Sequence, residues 1–385
     1  MKSHIFSAAA FAATMASALP SPIMSRQDTS PGRVLLSNNG KIYLADYDGS
    51  SFDITMTGDD SGHSPSWLAF AEPNLLYAVD EWSSLIRLFE LNVAGDKLDK
   101  KTEATGSSGV VHLEFNKDRT RMVGAAYGQG TIDVWDVSDG GLTLLKTLES
   151  DGELGPNPER QTAPHPHQAN LDPSGRFYAV NDLGTDEILL IDSADDAFTI
   201  AGRADTPPGS GPRHGAFHPR DAEKATHYIV LCEITNIIVV YELSYTDSSI
   251  DFTKIQEISS FGPDANPSSD AAAGELAIIG EHVYISNRLT GGETDDISHF
   301  SITKCSEKAE LKFVDSVSTG GTLPRMFSAS SSGKKLLVGN QGGALGLVSI
   351  GLNEDGSMQK DFLASVEASV FGEEGFGPQF VQQIA

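Results

Sequence analysis

Cysteine is scarce in this chain of 385 residues, which contains only Cys232 and Cys305. A small scaffold held together by disulfides needs several cysteine pairs, so that class of protein is excluded. Neither cysteine has a C-x-x-C neighbour, which argues against a structural zinc site or a dithiol redox site. Cys232 lies in an apolar run, where a buried thiol is the usual outcome. The sequence leaves open whether the two cysteines pair.

Basic residues are also under-represented. The chain has 27 Lys and Arg residues against 53 Asp and Glu residues, and its formal net charge is −26. A field of that sign repels phosphate backbones and anionic lipid, so we expect no nucleic-acid partner. The acidic surface by itself indicates solubility and no particular ligand.

Long apolar runs are missing except near the N-terminus, which reads MKSHIFSAAAFAATMASALP. A single lysine precedes an apolar stretch too short to span a bilayer, and Ala16-Ser17-Ala18 forms an A-x-A cleavage pattern. We therefore predict a secretory signal peptide over residues 1–18, a leader over 19–32, and an extracellular protein. No other segment resembles a transmembrane helix, so no membrane insertion is expected. Residues 33–385 are predicted to form one domain.

Helical periodicity is almost absent, and a strand–turn–strand pattern recurs instead. One copy, "HQANLDPSGRFYAVNDLGTDEILLID", has a short strand, a turn, an apolar strand, a polar tip and a second apolar strand. An early copy starts at Gly40, and the other six copies start at Ser66, Val111, His167, Arg213, Glu275 and Arg325. Repeats of about 40–50 residues built from strands are typical of propeller blades. The sequence thus predicts an all-β, seven-bladed β-propeller of four-stranded antiparallel blades. The alternating segment at residues 362–371 is the candidate for closing the ring.

Equivalent positions of successive blades form rings around the propeller axis, and two of these rings carry unusual charge. The first ring consists of the six repeat starts, Ser66, Val111, His167, Arg213, Glu275 and Arg325. The second ring, at the polar tips, consists of Glu81, Tyr127, Asp182, Glu233, Arg288 and Gln341. Charged side chains are costly to bury unless they are paired or serve a ligand.

Two interpretations of these rings remain open. The arginines can simply bridge blades through acidic partners, as structural ion-pair networks do. Alternatively, they form a pocket for an anion, because arginine forks bind carboxylates and phosphates. The second interpretation also gives a role to His167, which with Glu233 can move a proton near neutral pH.

Several motifs resemble one known family. "HPHQANLDPSGRFYAVNDLG", "GPRHGAFHP", "SNR", "AYGQGTIDVWDV" and "PRMFSASSSGKKLLVGNQ" occur in this order and at the repeat positions. They are similar to the lactonase family of seven-bladed propellers, which includes bacterial-type 6-phosphogluconolactonase and the fungal 3-carboxy-cis,cis-muconate lactonizing enzyme. The resemblance covers about residues 33 to 380 and excludes the signal peptide and leader. With the predicted signal peptide, it suggests a secreted fungal-type member, although the family's familiar reactions are intracellular.

The resemblance implies a set of active-site residues. Carried over by motif, the catalytic residues are His167, Arg213, Glu233 and Arg288. From the two rings and the HPH motif, we expect substrate contacts from His165, Tyr127, Asp182, Glu275, Arg325 and Gln341. This sequence departs from the family pattern in having Cys232 before Glu233, where the family has asparagine, and in lengthening the loop after Arg288.

The expected activity is the opening or closing of a lactone ring on a small anionic or sugar-derived substrate, by hydrolysis or cycloisomerisation. No metal or organic cofactor is expected: the pair His165 and His167 lacks a third ligand, and no Walker or Rossmann glycine pattern is present. G-x-S-x-G is also absent, so a serine-hydrolase elbow has no support. The rival from another class is a secreted propeller that keeps the fold but serves as a binding or antigenic surface protein.

Overall fold

A computed structural model describes residues 32–59, 62–263, 265–305 and 308–385. It contains seven four-stranded antiparallel sheets, one for each predicted blade. The predicted signal peptide and nearly all of the predicted leader lie outside the described residues. None of the helices in the described part of the chain has the length and apolarity needed to cross a membrane.

The strands follow the blades in chain order. The first half of the chain has β1 (Gly32–Asn38), β2 (Lys41–Tyr47), β3 (Phe52–Gly58), β4 (Leu68–Ala71), β5 (Leu75–Val79), β6 (Leu85–Asn92), β7 (Lys97–Thr105), β8 (Val110–Phe115), β9 (Arg121–Ala126), β10 (Thr131–Asp136), β11 (Thr143–Glu149), β12 (Pro166–Leu171), β13 (Phe177–Asp182), β14 (Glu187–Asp192) and β15 (Thr199–Asp205). The second half has β16 (Pro212–His218), β17 (His227–Cys232), β18 (Ile237–Tyr245), β19 (Ile250–Ser259), β20 (Ala272–Ile279), β21 (His282–Arg288), β22 (Asp296–Cys305), β23 (Lys308–Ser318), β24 (Met326–Ala329), β25 (Lys335–Gly339), β26 (Leu345–Leu352), β27 (Met358–Glu367) and β28 (Phe380–Gln383). Helix in the described residues is limited to three 3₁₀ turns, Ser138–Gly140, Ala194–Asp196 and Ala368–Val370.

The blades follow the chain, except at the closure. Blade 1 contains β28 and β1–β3, and blades 2 to 7 contain β4–β7, β8–β11, β12–β15, β16–β19, β20–β23 and β24–β27. Within a blade the first strand lies nearest the axis and the fourth at the rim. The connections from second to third strand, and from each blade to the next, therefore emerge on the same face of the propeller.

Closure joins the two ends of the chain, but the closing strand is β28 rather than residues 362–371. Leu35 and Leu36 of β1 pair with Gln382 and Val381 of β28. The predicted segment lies mainly in β27, the half-exposed rim strand of blade 7. Apolar and polar residues alternate in this segment because one face of the rim strand is exposed to solvent. The closing strand instead buries Phe380 and Val381 between blades.

The core lies between neighbouring blades. Middle strands such as β17 are buried along their whole length, because both faces of the sheet are covered. Tyr228 packs against Phe217 and donates a hydrogen bond to Asn181 Oδ1 of the preceding blade at 3.0 Å. Cys232 belongs to the same cluster and is a free, fully buried thiol, and burial raises its pKa to about 12.

Tight turns hold the strands in register. In the turn after β12, the Asp172 carboxylate accepts backbone hydrogen bonds from Ser174, Arg176 and Phe177. Gly175 adopts a φ of +83°, a conformation that only glycine tolerates well. This turn fixes where β13 begins, and hence which residues reach its inner end.

Candidate functional site

Bulges in the inner strands aim the first ring of side chains into the channel. In β12 the pairing skips from Pro166 to Gln168, and in β16 from Pro212 to His214. The extra residues are His167 and Arg213. A bulge leaves one residue unpaired and turns its side chain away from the regular alternation, which is why bulges recur beside active sites. Inner strands β8 and β20 have similar irregularities, at Val111 and at Gly274 and Glu275.

The centre of the site is the carboxylate of Glu233, which directly follows β17. Its Oε2 atom lies 2.7 Å from Nε of Arg213 and 2.9 Å from Nη2 of Arg288. Arg213 also donates from Nη1 to the carbonyl oxygen of Gly274 at 2.6 Å, and Arg288 donates to Ala273 O at 2.9 Å. Two arginines from adjacent blades are thus fixed in place around one acid.

A third arginine completes this cluster. Nη2 of Arg160 donates to Oε1 of Glu233 at 2.5 Å, and Arg160 also hydrogen-bonds the Tyr127 side chain. Arg160 lies in the long connection between β11 and β12, outside the repeating pattern, so the sequence analysis missed it. Its side chain is 40% exposed, whereas those of Arg213 and Arg288 are 3% and 14% exposed.

The arginines keep Glu233 ionised. Burial alone would raise the pKa of its carboxyl, but Arg288, Arg213 and Arg160 outweigh burial and hold the pKa at about 2. Burial and the neighbouring Arg288 lower the pKa of Arg213 to about 9, which still leaves it charged at neutral pH. The cluster therefore holds three positive charges against one negative charge.

His167 lies beside this cluster with an unused nitrogen. It is 6% exposed, and its Nδ1 atom is buried without a hydrogen-bond partner. Burial, reinforced by the charge of Arg213, lowers the pKa of His167 well below the usual value. The imidazole is therefore neutral at neutral pH and able to accept a proton.

A small cavity joins His167 to the rest of the first ring. Its volume is about 10 Å³, room for about one water molecule, and all six first-ring residues line it. The lining also includes four residues that the sequence analysis did not single out, namely Trp67, His214, Met326 and Gln379. Among these four, His214 directly follows the bulge at Arg213, which brings two consecutive side chains to the same channel.

Glu275 and His214 form a buried pair across blades 5 and 6. Oε1 of Glu275 lies 2.7 Å from Nδ1 of His214, and Oε2 of Glu275 is buried without a hydrogen-bond partner. Burial raises the pKa of Glu275 to about 8 and lowers that of His214 well below its usual value. Both groups are therefore uncharged at neutral pH, and Glu275 does not cancel the charge of the arginines.

The second ring divides between the site and the scaffold. Tyr127 stacks on His165, with ring centroids 4.2 Å apart, and its ring centroid is 5.8 Å from that of His167. Nη2 of Arg325 lies 2.8 Å from Oε2 of Glu81, so this arginine bridges blades 7 and 2. The backbone N–H of Gln341 donates to Leu323 O at 3.2 Å, which places the residue in the tip of blade 7.

Asp182 is placed differently from Glu233. The strand register aligns Asp182 with Cys232, because they pair with Pro166 and Pro212 respectively, and Leu183 takes the position of Glu233. The Asp182 carboxylate accepts hydrogen bonds from the amides of His165, Gly184 and Thr185 and from Ser150 Oγ. These hydrogen bonds hold the loops next to the HPH motif. The alignment of repeats from the sequence was therefore shifted by one residue in blade 4.

The donor set does not suit a metal ion. Among the described residues, no three His, Cys, Asp or Glu side chains come together as possible metal ligands. His165 and His167 diverge: Nδ1 of His165 contacts Tyr127 O at 2.8 Å, while His167 faces His214, with ring centroids 5.1 Å apart. The site is instead a cluster of arginines beside the neutral imidazoles of His167 and His214.

Comparison with known proteins finds a family model and several relatives that match most of the chain. The family model described as "Lactonase, 7-bladed beta-propeller" matches residues 29–357. A probable 6-phosphogluconolactonase of Arthroderma benhamiae is 33% identical over 310 residues, covering 77% of this chain and 76% of that protein. The 6-phosphogluconolactonase of Bacillus subtilis is 31% identical over 217 residues, covering 56% of this chain and 58% of that protein. A crystal structure of a putative 6-phosphogluconolactonase from Bacteroides fragilis superimposes with a TM-score of 0.76 at 22% identity, covering 94% and 99% of the two chains.

Proposed function

Because the chain belongs to the lactonase family of seven-bladed β-propellers, we propose that it hydrolyses the ring of a small anionic, sugar-derived lactone in the pocket around Glu233. The related proteins named 6-phosphogluconolactonase support a lactone of this class. The observation that carries the proposal is the convergence of Arg160, Arg213 and Arg288 on a single carboxylate beside the unpartnered Nδ1 of His167.

The charge of the pocket supports an anionic substrate. Three guanidinium groups face one ionised carboxylate, and Glu275 is uncharged at neutral pH, so the cluster has positive charge left for a ligand. A carboxylate or phosphate entering the pocket shares the arginine forks with Glu233. The protein as a whole repels anions, with its formal net charge of −26, and this local excess overcomes that repulsion at short range.

His167 is the proposed general base. Its neutral imidazole takes a proton from water as the water oxygen attacks the lactone carbonyl carbon. Arg213 and Arg288 stabilise the negative charge that develops on the carbonyl oxygen. The ring C–O bond then breaks, and the imidazolium returns its proton to the leaving alkoxide, which gives a hydroxy acid.

Glu233 has a different proposed role. A carboxyl group with a pKa of about 2 is a weak base, and all its nearest partners are cations. We therefore assign it to orienting the arginine pair, with proton transfer at His167. A bound substrate anion offsets the positive charge near His167. The pKa of the imidazole then rises, so His167 is a stronger base when substrate is bound.

Secretion is proposed from the A-x-A pattern at residues 16–18. N-terminal sequencing of protein recovered from culture medium should find a chain that starts beyond residue 18. An intact Met1 on that protein would contradict the proposal.

A lactone panel tests the function. Purified protein is assayed with δ-gluconolactone, its 6-phosphate and muconolactones, each against the spontaneous rate of opening, with and without a chelator. The proposal expects fastest opening of a lactone that carries an acidic group. Tight binding of these compounds with no rate above the spontaneous one would favour a binding protein instead.

A further inference from the structure

Arg160 differs from the two other arginines that contact Glu233. Arg213 and Arg288 extend from sheet strands, are nearly buried and also donate to backbone carbonyl oxygens. Arg160 extends from the connection between β11 and β12, its side chain is 40% exposed, and it takes Oε1 of Glu233, the oxygen that the other two leave free.

Hydrogen bonds hold the segment that contains Arg160 on both sides of the arginine. Oδ1 of Asn157 accepts hydrogen bonds from the amides of Glu159 and Arg160, each at 3.0 Å. Gln161 is 2% exposed and donates from Nε2 to Leu183 O at 2.9 Å, which ties the segment to the tip of blade 4. The backbone around Arg160 is thus held in place, while its side chain is 40% exposed.

Glu233 has two cationic partners besides Arg160. Arg288 and Arg213 also lower its pKa, and each of them donates a hydrogen bond to a backbone carbonyl oxygen of its own. The second partner of Arg160, the Tyr127 hydroxyl, is a neutral group that can accept or donate. Release of Arg160 from Glu233 would leave Arg213 and Arg288 paired with the carboxylate and would free a partly exposed guanidinium group for a ligand.

We propose that Arg160 is a specificity-determining residue, which exchanges Glu233 Oε1 for an acidic substituent of the ligand, with Tyr127 beside it. The inference rests on the proposed function. Arg213 and Arg288 then serve the part of the ligand that all substrates share, and Arg160 distinguishes ligands that carry a second acidic group. A guanidinium fork suits this task because it binds phosphate and carboxylate oxygens in pairs.

The test compares two probes by isothermal titration calorimetry. Gluconate carries one acidic group, and 6-phosphogluconate carries a second at the other end of the molecule. The dissociation constants are measured for the wild type, Arg160→Gln, Arg160→Lys and the control Arg176→Gln. Arg176 is a matched control, since its side chain is 38% exposed and pairs with one carboxylate, Asp192, away from the pocket.

The expected result is a change in the ratio of the two dissociation constants. The wild type and Arg176→Gln bind 6-phosphogluconate at least tenfold more tightly than gluconate. Arg160→Gln loses about tenfold of that preference while its affinity for gluconate changes little, and Arg160→Lys lies between them. Thermal unfolding midpoints of the variants show that the fold is retained.

Three results would overturn the inference: an unchanged ratio in Arg160→Gln, an equal loss for both probes, or a wild type without preference. An equal loss would assign Arg160 only to positioning Glu233. The lactone panel separates the two proposals. If Arg160→Gln loses the preference for 6-phosphogluconate but the wild type opens no lactone, the inference stands and the proposed hydrolase activity is rejected. If the wild type opens a lactone but Arg160→Gln keeps the preference, the hydrolase proposal stands and the inference is rejected.

Discussion

Nε of Arg213 lies 2.7 Å from Oε2 of Glu233, although the first residue is a bulge in the innermost strand of blade 5 and the second follows the next strand. Nη1 of the same arginine reaches across to Gly274 O in blade 6. One side chain thus joins two blades and orients the acid at the centre of the pocket. Arg288 of blade 6 pairs with the same carboxylate, so an ion pair that bridges blades lies within the proposed anion site.

Arg213→Lys tests the need for a guanidinium at this position. Lysine keeps the charge, but its single ammonium group cannot reach Glu233 and Gly274 in the same geometry. We expect KM for an acidic lactone to rise about ten- to a hundredfold, the range for one charge-assisted hydrogen bond. Steady-state kinetics measures this, and an unchanged KM would show that charge alone is sufficient.

Glu233→Gln separates positioning from proton transfer. The substitution leaves three guanidinium groups without their carboxylate, so kcat should fall because the arginines lose their orientation, while anionic product binds more tightly. Removing one partner of a buried ion pair typically costs about 3–5 kcal/mol of stability, and we expect a lower free energy of unfolding. Urea denaturation and product-inhibition constants check both effects. Looser product binding would argue against the charge excess.

Glu275→Gln should change the pH dependence of stability. The folded-state pKa is about 8, above the ordinary value near 4.5, so between these pH values the folded state holds a proton that the unfolded state has lost. The wild type therefore loses stability as pH rises from about 5 to 8, and the glutamine variant should lose less. Ionised Glu275 also opposes anion binding, so KM of the wild type should rise above pH 8. Parallel stability curves for both proteins would contradict this assignment.

Phe380→Ala tests the closure of the ring. Phe380 is 1% exposed in the closing strand β28, and truncating such a side chain costs about 3–5 kcal/mol. The matched control is Phe376→Ala, since Phe376 is 41% exposed in the preceding connection, where substitutions stay within about 0.5 kcal/mol. Denaturant unfolding should separate the two variants. Equal stability would mean that β28 contributes little to closure.

The repeat made the fold and the first ring predictable from the sequence. Each blade repeats one pattern of turns and apolar strands, and the positions of His167, Arg213 and Glu275 recur at the start of each copy. Pairing register was less accessible, because β13 is buried on both faces and a shift of one residue at Asp182 changes its apolar pattern little. The closing strand was missed for a related reason: four residues are too short to show a period.

Arg160 and His214 were missed for different physical reasons. Arg160 lies in a connection without equivalents in other blades, and only tertiary structure brings it to Glu233. His214 follows Arg213 in the chain, and strict alternation would send its side chain to the opposite face. Because of the bulge at Arg213, both side chains point toward the channel, and no local sequence pattern predicts that bulge.

The most direct test of the account is kcat/KM for lactone opening by His167→Ala. The lactone from the panel that the wild type opens fastest is used, with Arg176→Gln as the control, and spontaneous opening is subtracted. The account predicts that the control equals the wild type and that His167→Ala falls by about 10²–10⁴-fold, the range for a lost general base. A wild type no faster than spontaneous opening, or a His167→Ala variant with undiminished kcat/KM, would contradict it.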